Sequence, residues 1–303
     1  VRRQRQMCIR DRSNNFDLKV EEVFDVQDKI AEEMVSTIVG RVEADALDSI
    51  KTKRPDNMDS YDLVLQGLEY AKKGNVMKEN TQKAVELFEK AIELEPSYAR
   101  AHAWRACTLS NLADWEESPD PKIFENAFKS IQLALELDSN EPEVHRIMGA
   151  LKLWHERDHE MARYHFEKAR ELCPSDVFII SRYAIMLIYF GEFDKALEEL
   201  ERAKRLDPFS HDLLFGPEAI CHYWLDNPEE ALQTFKKVKV KKNFLFYIAL
   251  ANEKSGNSDK ASENLKEAYA LTGMDNDSFI GSQPFKEQEF TSKLKSQLSK
   301  ITV

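Results

Sequence analysis

Residues Val177 to Pro208 read VFIISRYAIMLIYFGEFDKALEELERAKRLDP. An apolar run of helix length breaks at Gly191, an amphipathic run follows, and Pro208 ends it. Ala196, Leu200, Ala203 and Pro208 have counterparts 34 residues upstream at Ala162, Phe166, Ala169 and Pro174. A fixed period of that length marks stacked units, each a helical hairpin that cannot bury its apolar face alone.

The pattern continues in both directions. Gly67, Tyr70, Ala84, Phe88, Ala91 and Pro96 form a first unit, with extra residues around Gly74 to Asn80. A looser second unit has His102, Ala106, Ala127, Ile131 and Ala134, interrupted by an insertion holding Trp115, Pro119 and Pro121. Gly149 leads the third, and Ala184 the fourth. The fifth has Ala219, Ala231, Phe235 and Val238, and Gly216-Pro217 predicts a kink or a late start in its leading helix. Ala249, Gly256, Ala261, Leu265 and Ala268 form a sixth, only 30 residues on, so the junction from Lys239 to Asn243 is tight. Phe285 to Ile301 reads as a closing helix, with Phe290, Leu294 and Leu298 at four-residue spacing. A small residue, a large apolar residue and a closing proline in each second helix resemble the tetratricopeptide repeat. The resemblance implies an all-α fold: a right-handed α-α superhelix of about six helix pairs with a C-terminal capping helix.

Bulk composition suits that reading. The chain has 303 residues, 42% of them hydrophobic, with nine glycines and ten prolines, as long helices on short turns require. Net charge is −11, but the first twelve residues, VRRQRQMCIRDR, carry five arginines and one aspartate, so the rest holds 38 basic and 53 acidic residues, net −15. An acidic body repels a phosphate backbone, so nucleic acid and anionic membrane are disfavoured as partners. The basic run Lys236 to Lys242 suits the C-terminal end of a helix, where cations meet the dipole. Cys8, Cys107, Cys173 and Cys221 lack CxxC spacing, so neither a zinc knuckle nor a disulfide framework is indicated. There is no apolar segment of secretory type after the N-terminal arginines, and Val177 to Phe190 is too short to span a bilayer, which makes the cytoplasm the default setting.

Residues 1–12 have no helical or strand period; they resemble translated adapter read-through and are set aside, with the native protein expected to begin further upstream. From Asp25, a plausible N-cap, Val26, Ile30, Met34, Ile38 and Val42 predict a long amphipathic helix ending near Ile50. Lys51 to Pro55 is a stop signal and a domain boundary. The expected division is 13–55 as the remnant of a preceding domain, 56–273 as the array and 274–303 as the capping segment.

His155-Glu156-Arg157-Asp158-His159 matches HExxH, which on a helix sets two imidazoles on one face to hold zinc. The repeat register instead puts it in the turn of the third unit, where facing at i and i+4 is lost, and no motif places a third ligand. His102, His145, His165, His211 and His222 follow no spacing, and no phosphate loop or GxSxG elbow occurs. The chain is therefore read as a non-enzyme without catalytic residues, cofactor or metal.

What remains is a surface. In tetratricopeptide arrays the leading helices line the concave groove, and the register assigns to it Ala150, Leu153 and Trp154, then Ser181, Ile185, Ile188 and Tyr189, then Ile220, Tyr223 and Trp224. Of these, Leu153, Trp154, Ile185, Ile188, Tyr189, Ile220, Tyr223 and Trp224 are the expected partner groove, suited to a protein or peptide segment because aromatic and aliphatic side chains supply area and anchor pockets. Any of them could instead pack inside the superhelix. The Lys, Asn and Arg clamp with which some arrays hold a terminal carboxylate is absent from unit one, which offers Val64 and Leu68 at the corresponding face. Homo-oligomerisation is left open.

A narrower likeness lies in the flanks. Glu22 to Ala31, EVFDVQDKIA, resembles the end of the TolB-like domain that precedes tetratricopeptide repeats in bacterial class III adenylate or guanylate cyclases and related regulators. Asp59 to Gly67 looks like their first repeat, and Gln283 to Lys286 is similar to their closing P-[YF]-K segment. The resemblance implies a regulatory C-terminal part of a signalling protein. In that family the catalytic domain lies upstream, and no residue here carries its metal-binding aspartate motifs.

Overall fold

The structure, a computed structural model, describes residues 60–74, 77–113, 115, 120–207 and 212–302. The leader, the helix expected from Asp25 to Ile50 and the preceding-domain remnant lie outside the described residues. Fourteen α-helices and no strand occur among the described residues. They fall into six pairs: α1 Ser60–Gly74 with α2 Lys78–Leu94, α3 Ala99–Ala113 with α4 Pro121–Leu137, α5 Pro142–Leu151 with α6 His159–Leu172, α7 Val177–Tyr189 with α8 Phe193–Leu206, α9 Asp212–Trp224 with α10 Pro228–Phe235, and α11 Leu245–Lys254 with α12 Ser258–Thr272. Two more, α13 Asn276–Ser282 and α14 Gln288–Leu298, follow.

Several helices begin where a side chain supplies a missing backbone partner. Asp158 and Asp176 accept from the backbone N–H groups of Met161 (3.1 Å) and Ile179 (2.9 Å), capping α6 and α7. Gly191, at φ +75°, takes the left-handed conformation that turns the chain between α7 and α8. The leading helix α9 is continuous through Pro217. At the tight junction before pair six, α10 stops after eight residues and a 3-10 turn at Lys242–Phe244 reaches α11 directly.

The small–large–small pattern of the trailing helices is the core. Ala84, Phe88 and Ala91 are buried, as are Ala127, Ile131 and Ala134, Ala162, Phe166 and Ala169, Ala196, Leu200 and Ala203, Ala231 and Phe235, and Ala261, Leu265 and Ala268. The small residues let the paired helix approach; a Cβ on Gly149 would come within 2.9 Å of the Phe166 ring. Each large side chain contributes about 1.5–3 kcal/mol, so stability accumulates by stacking.

Each leading helix touches the leading helices of the neighbouring pairs, whereas no comparable contact joins successive trailing helices. The layer whose members approach one another is the inner side of a curved stack. The odd-numbered helices from α1 to α11 therefore form the concave face.

Candidate functional site

The residues expected in the groove divide by depth. Leu153 and Tyr223 have no exposed surface, and Ile188 retains 2%. These three belong to the core between leading helices. Trp154, in the turn that follows α5, and Ile185, Tyr189, Ile220 and Trp224, on leading helices, are half-buried.

Tyr189 and Trp224 are covered by the C-terminal end of the chain itself. Phe279 of α13 stacks on Phe246 of α11, ring centroids 4.1 Å apart. The chain then runs back along the concave face: Phe285 meets Tyr189 and Trp224 edge to face at 5.2 and 5.4 Å, and Phe290 meets Trp224 at 5.3 Å and Phe193 at 5.4 Å. Phe290 also lies over Gly191, where a Cβ would stand 2.6 Å from its ring. Leu294, Leu298 and Ile301 close over the core of pairs five and six.

Polar contacts hold the backbone of this segment. Arg157 donates to the Gly281 carbonyl (2.7 Å), His159 Nε2 donates to the Pro284 carbonyl (3.0 Å), and Lys286 N–H donates to the Tyr189 carbonyl (2.9 Å). The Tyr189 and Tyr247 hydroxyls donate to Gln283 Oε1 at 3.3 and 3.4 Å, and that of Tyr223 donates to Gln297. Burial pushes the Tyr189 hydroxyl up to about 12, so it stays a donor at any physiological pH. The concave face of pairs three to six thus already holds a peptide-like stretch, read through carbonyl oxygens and aromatic side chains.

The HExxH residues are part of this arrangement. Lys152–Glu156 is a π-helical turn and Arg157 is left-handed at φ 57°, so His155 and His159 do not share an α-helical face. His155 Nε2 meets Ser110 Oγ at 2.6 Å, while His159 holds Pro284. Burial and the charge of Arg157 keep the His155 imidazole below its ordinary value. No group of three or more metal-ligating side chains occurs among the described residues.

Toward pairs two to four the concave face is different, and sequence reasoning missed it. Arg146 of α5 lies with its guanidinium carbon 4.8 Å from the ring centroids of both Trp104 of α3 and Phe178 of α7. Its Nε donates to Glu143 at 2.7 Å. Arg182 of α7 stacks on the same Phe178, also at 4.8 Å. Burial, with the charge of Arg146 beside it, pushes the Arg182 guanidinium down to about 10. A signal existed, since both arginines sit on leading helices, but they are 36 residues apart and so escape a search at the 34-residue period.

Residues 87–118 match the description of the tetratricopeptide repeat, across the end of α2, all of α3 and the start of the insertion. No curated protein sequence matches the chain. Solved structures do. Human IFIT1, determined as a dimer with m7Gppp-AAAA, is similar with a TM-score of 0.59 and 20% identity over 80% of this chain and 57% of that one. The APC/C hetero-tetramer Cut9-Hcn1 is similar with a TM-score of 0.57 and 12% identity over 88% and 46%. PilW, a type IV pilus biogenesis factor, is similar with a TM-score of 0.51 and 18% identity over 71% and 94%. At such identities the likeness establishes architecture. The chain folds as an all-α tetratricopeptide-repeat superhelix.

Proposed function

We propose that this protein is an interaction and regulatory scaffold that takes a peptide or helix from a partner protein along its concave face, as the C-terminal part of a larger signalling protein. The supporting observation is the surface's own occupant: pairs three to six hold residues 276–301 by aromatic pockets and carbonyl contacts. Those are the means by which extended or helical segments are captured generally. Phe279, Ile280, Phe285, Leu294, Leu298 and Ile301 are buried there, at about 1.5–3 kcal/mol each, and a competitor would have to replace them all. A partner therefore docks beside this segment, on pairs one to four, where Trp154 and Ile185 border the free face. Cut9-Hcn1, similar in fold, is itself a hetero-tetramer.

The test is selection of peptides from a displayed library on the full chain, followed by titration calorimetry. Trp154→Ala and Ile185→Asp should weaken the selected peptides tenfold or more while circular dichroism stays unchanged. Failure to select any peptide, or binding indifferent to both substitutions, defeats the proposal.

The proposed setting is the cytoplasm, with a protein partner and neither nucleic acid nor membrane; no described helix is long and apolar enough to cross a bilayer. A narrower proposal, that these repeats regulate a nucleotide cyclase, rests on the likeness of Glu22 to Ala31, outside the described residues. The coding sequence upstream tests it: a cyclase domain there supports it, and any other domain rejects it.

A further inference from the structure

We infer that the concave face of pairs two to four carries a carboxylate-binding site, built from Arg146, Arg182 and Trp104, that takes an acidic residue of the partner segment; this rests on the scaffold reading above. The site holds donors without acceptors. Arg146 keeps only 3% of its surface and Trp104 only 8%. Arg146 Nη2 and Trp104 Nε1 are both buried with no hydrogen-bond partner among the described residues. Arg182, beside them, has no ion pair or hydrogen bond there, only the Phe178 ring beneath it. The available acceptor is Glu143, and its Oε2 is taken by Arg146 Nε.

Two guanidinium groups and one carboxylate leave a net positive charge in a poorly solvated place. An unpaired charge or N–H there is costly, and native structures rarely leave several together. Burial and mutual repulsion already push Arg182 down to about 10, so the site gains from an incoming anion. Planar guanidinium groups match a carboxylate bidentately, and the Trp104 and Phe178 rings fix their orientation. Cys107 of α3 lies close enough to Arg146 to accept a weak bond and supplies no charge of the strength required.

A phosphate would satisfy the same donors. A polynucleotide is disfavoured because the body beyond residue 12 carries net −15, repelling every phosphate after the first. The isolated site is suited to one anionic group on an otherwise weakly charged strand, which describes a peptide.

The experiment uses peptides selected on the full chain and synthesised with a C-terminal amide, each Asp or Glu then changed to Asn or Gln. The site predicts that one such change weakens binding tenfold or more, that Arg182→Gln does the same, and that the two losses are not additive. Arg182 is half-buried, so its replacement tests the site without emptying the core; Arg182→Met should leave the melting temperature unchanged or higher. Peptides that bind equally well to Arg182→Gln overturn the inference while leaving the scaffold reading intact. So does Arg182-dependent binding of a 5′-triphosphate tetraadenylate with no peptide dependence on a carboxylate. Absence of any peptide binding removes both. If only the C-terminal amide abolishes binding, the carboxylate is the chain terminus and an internal acidic residue is refuted.

Discussion

Phe285→Ala probes whether the C-terminal segment is part of the folded core or a loosely tethered tail. Phe285 is 8% exposed and lies in a nest of rings: Tyr189 at 5.2 Å, Trp224 at 5.4 Å and Phe290 at 5.3 Å. Truncating a buried Phe to Ala costs about 3–5 kcal/mol when the surroundings cannot collapse. Here Phe290, on the same segment, can follow into the vacated space while Tyr189 and Trp224 are anchored on α7 and α9, so the low end of that range applies: about 3 kcal/mol. Because the segment rests on pairs three to six, the loss should appear in the unfolding of those pairs and not in pairs one and two. Urea unfolding followed by circular dichroism and by tryptophan emission reads it, with Leu271→Ala, half exposed on α12, as a control expected to cost under about 0.5 kcal/mol. A Phe285→Ala protein as stable as that control would refute the packing described for the groove.

Other expectations concern the turn, the histidines and the stacking surface. Gly191→Ala meets both a positive φ and the Phe290 ring at 2.6 Å, so it should destabilise the same half by about 1–3 kcal/mol in the same assay. His145 Nε2 donates to the Ser139 carbonyl, so its bare Nδ1 accepts from His165 Nδ1–H at 3.0 Å; burial, His145 and Lys152 push His165 down to about 4, against Asp158. Since the folded value lies below the unfolded one, the stabilisation is complete above about pH 6.5 and is lost as pH falls through about 4, up to about 3 kcal/mol. The slope of unfolding free energy against pH between those limits should flatten in His165→Leu. Ala196→Arg, at a position without exposed surface, should abolish cooperative unfolding of pairs three to five rather than fray one helix, as thermal melts of the variant would show.

The helix pairs were legible because packing imposes a strict rule: the trailing-helix alanines and their large partners recur at one spacing, and all lie in the core. The position of the last helix was not. Phe290, Leu294 and Leu298 announce an apolar stripe that needs a partner, but a stripe does not say whether it covers the end of the stack or its inner face. Tyr189 and Trp224 show the same ambiguity from the other side. Aromatic residues on a concave register are equally suited to a foreign peptide and to the chain's own Phe285. The arginine site was invisible for another reason: its members come from three helices, off the common period, and only their spatial convergence on Phe178 reveals the missing acceptors.

Amide hydrogen exchange across residues 276–301 tests the central claim, that this segment is folded onto pairs three to six and leaves a partner only the face beside it, on pairs one to four. Backbone amides of Phe279, Ile280, Leu294 and Leu298 should be protected as strongly as those of α9, beneath them. Exchange of that stretch at the rate of an unstructured peptide, with α7, α9 and α11 still protected, would contradict it.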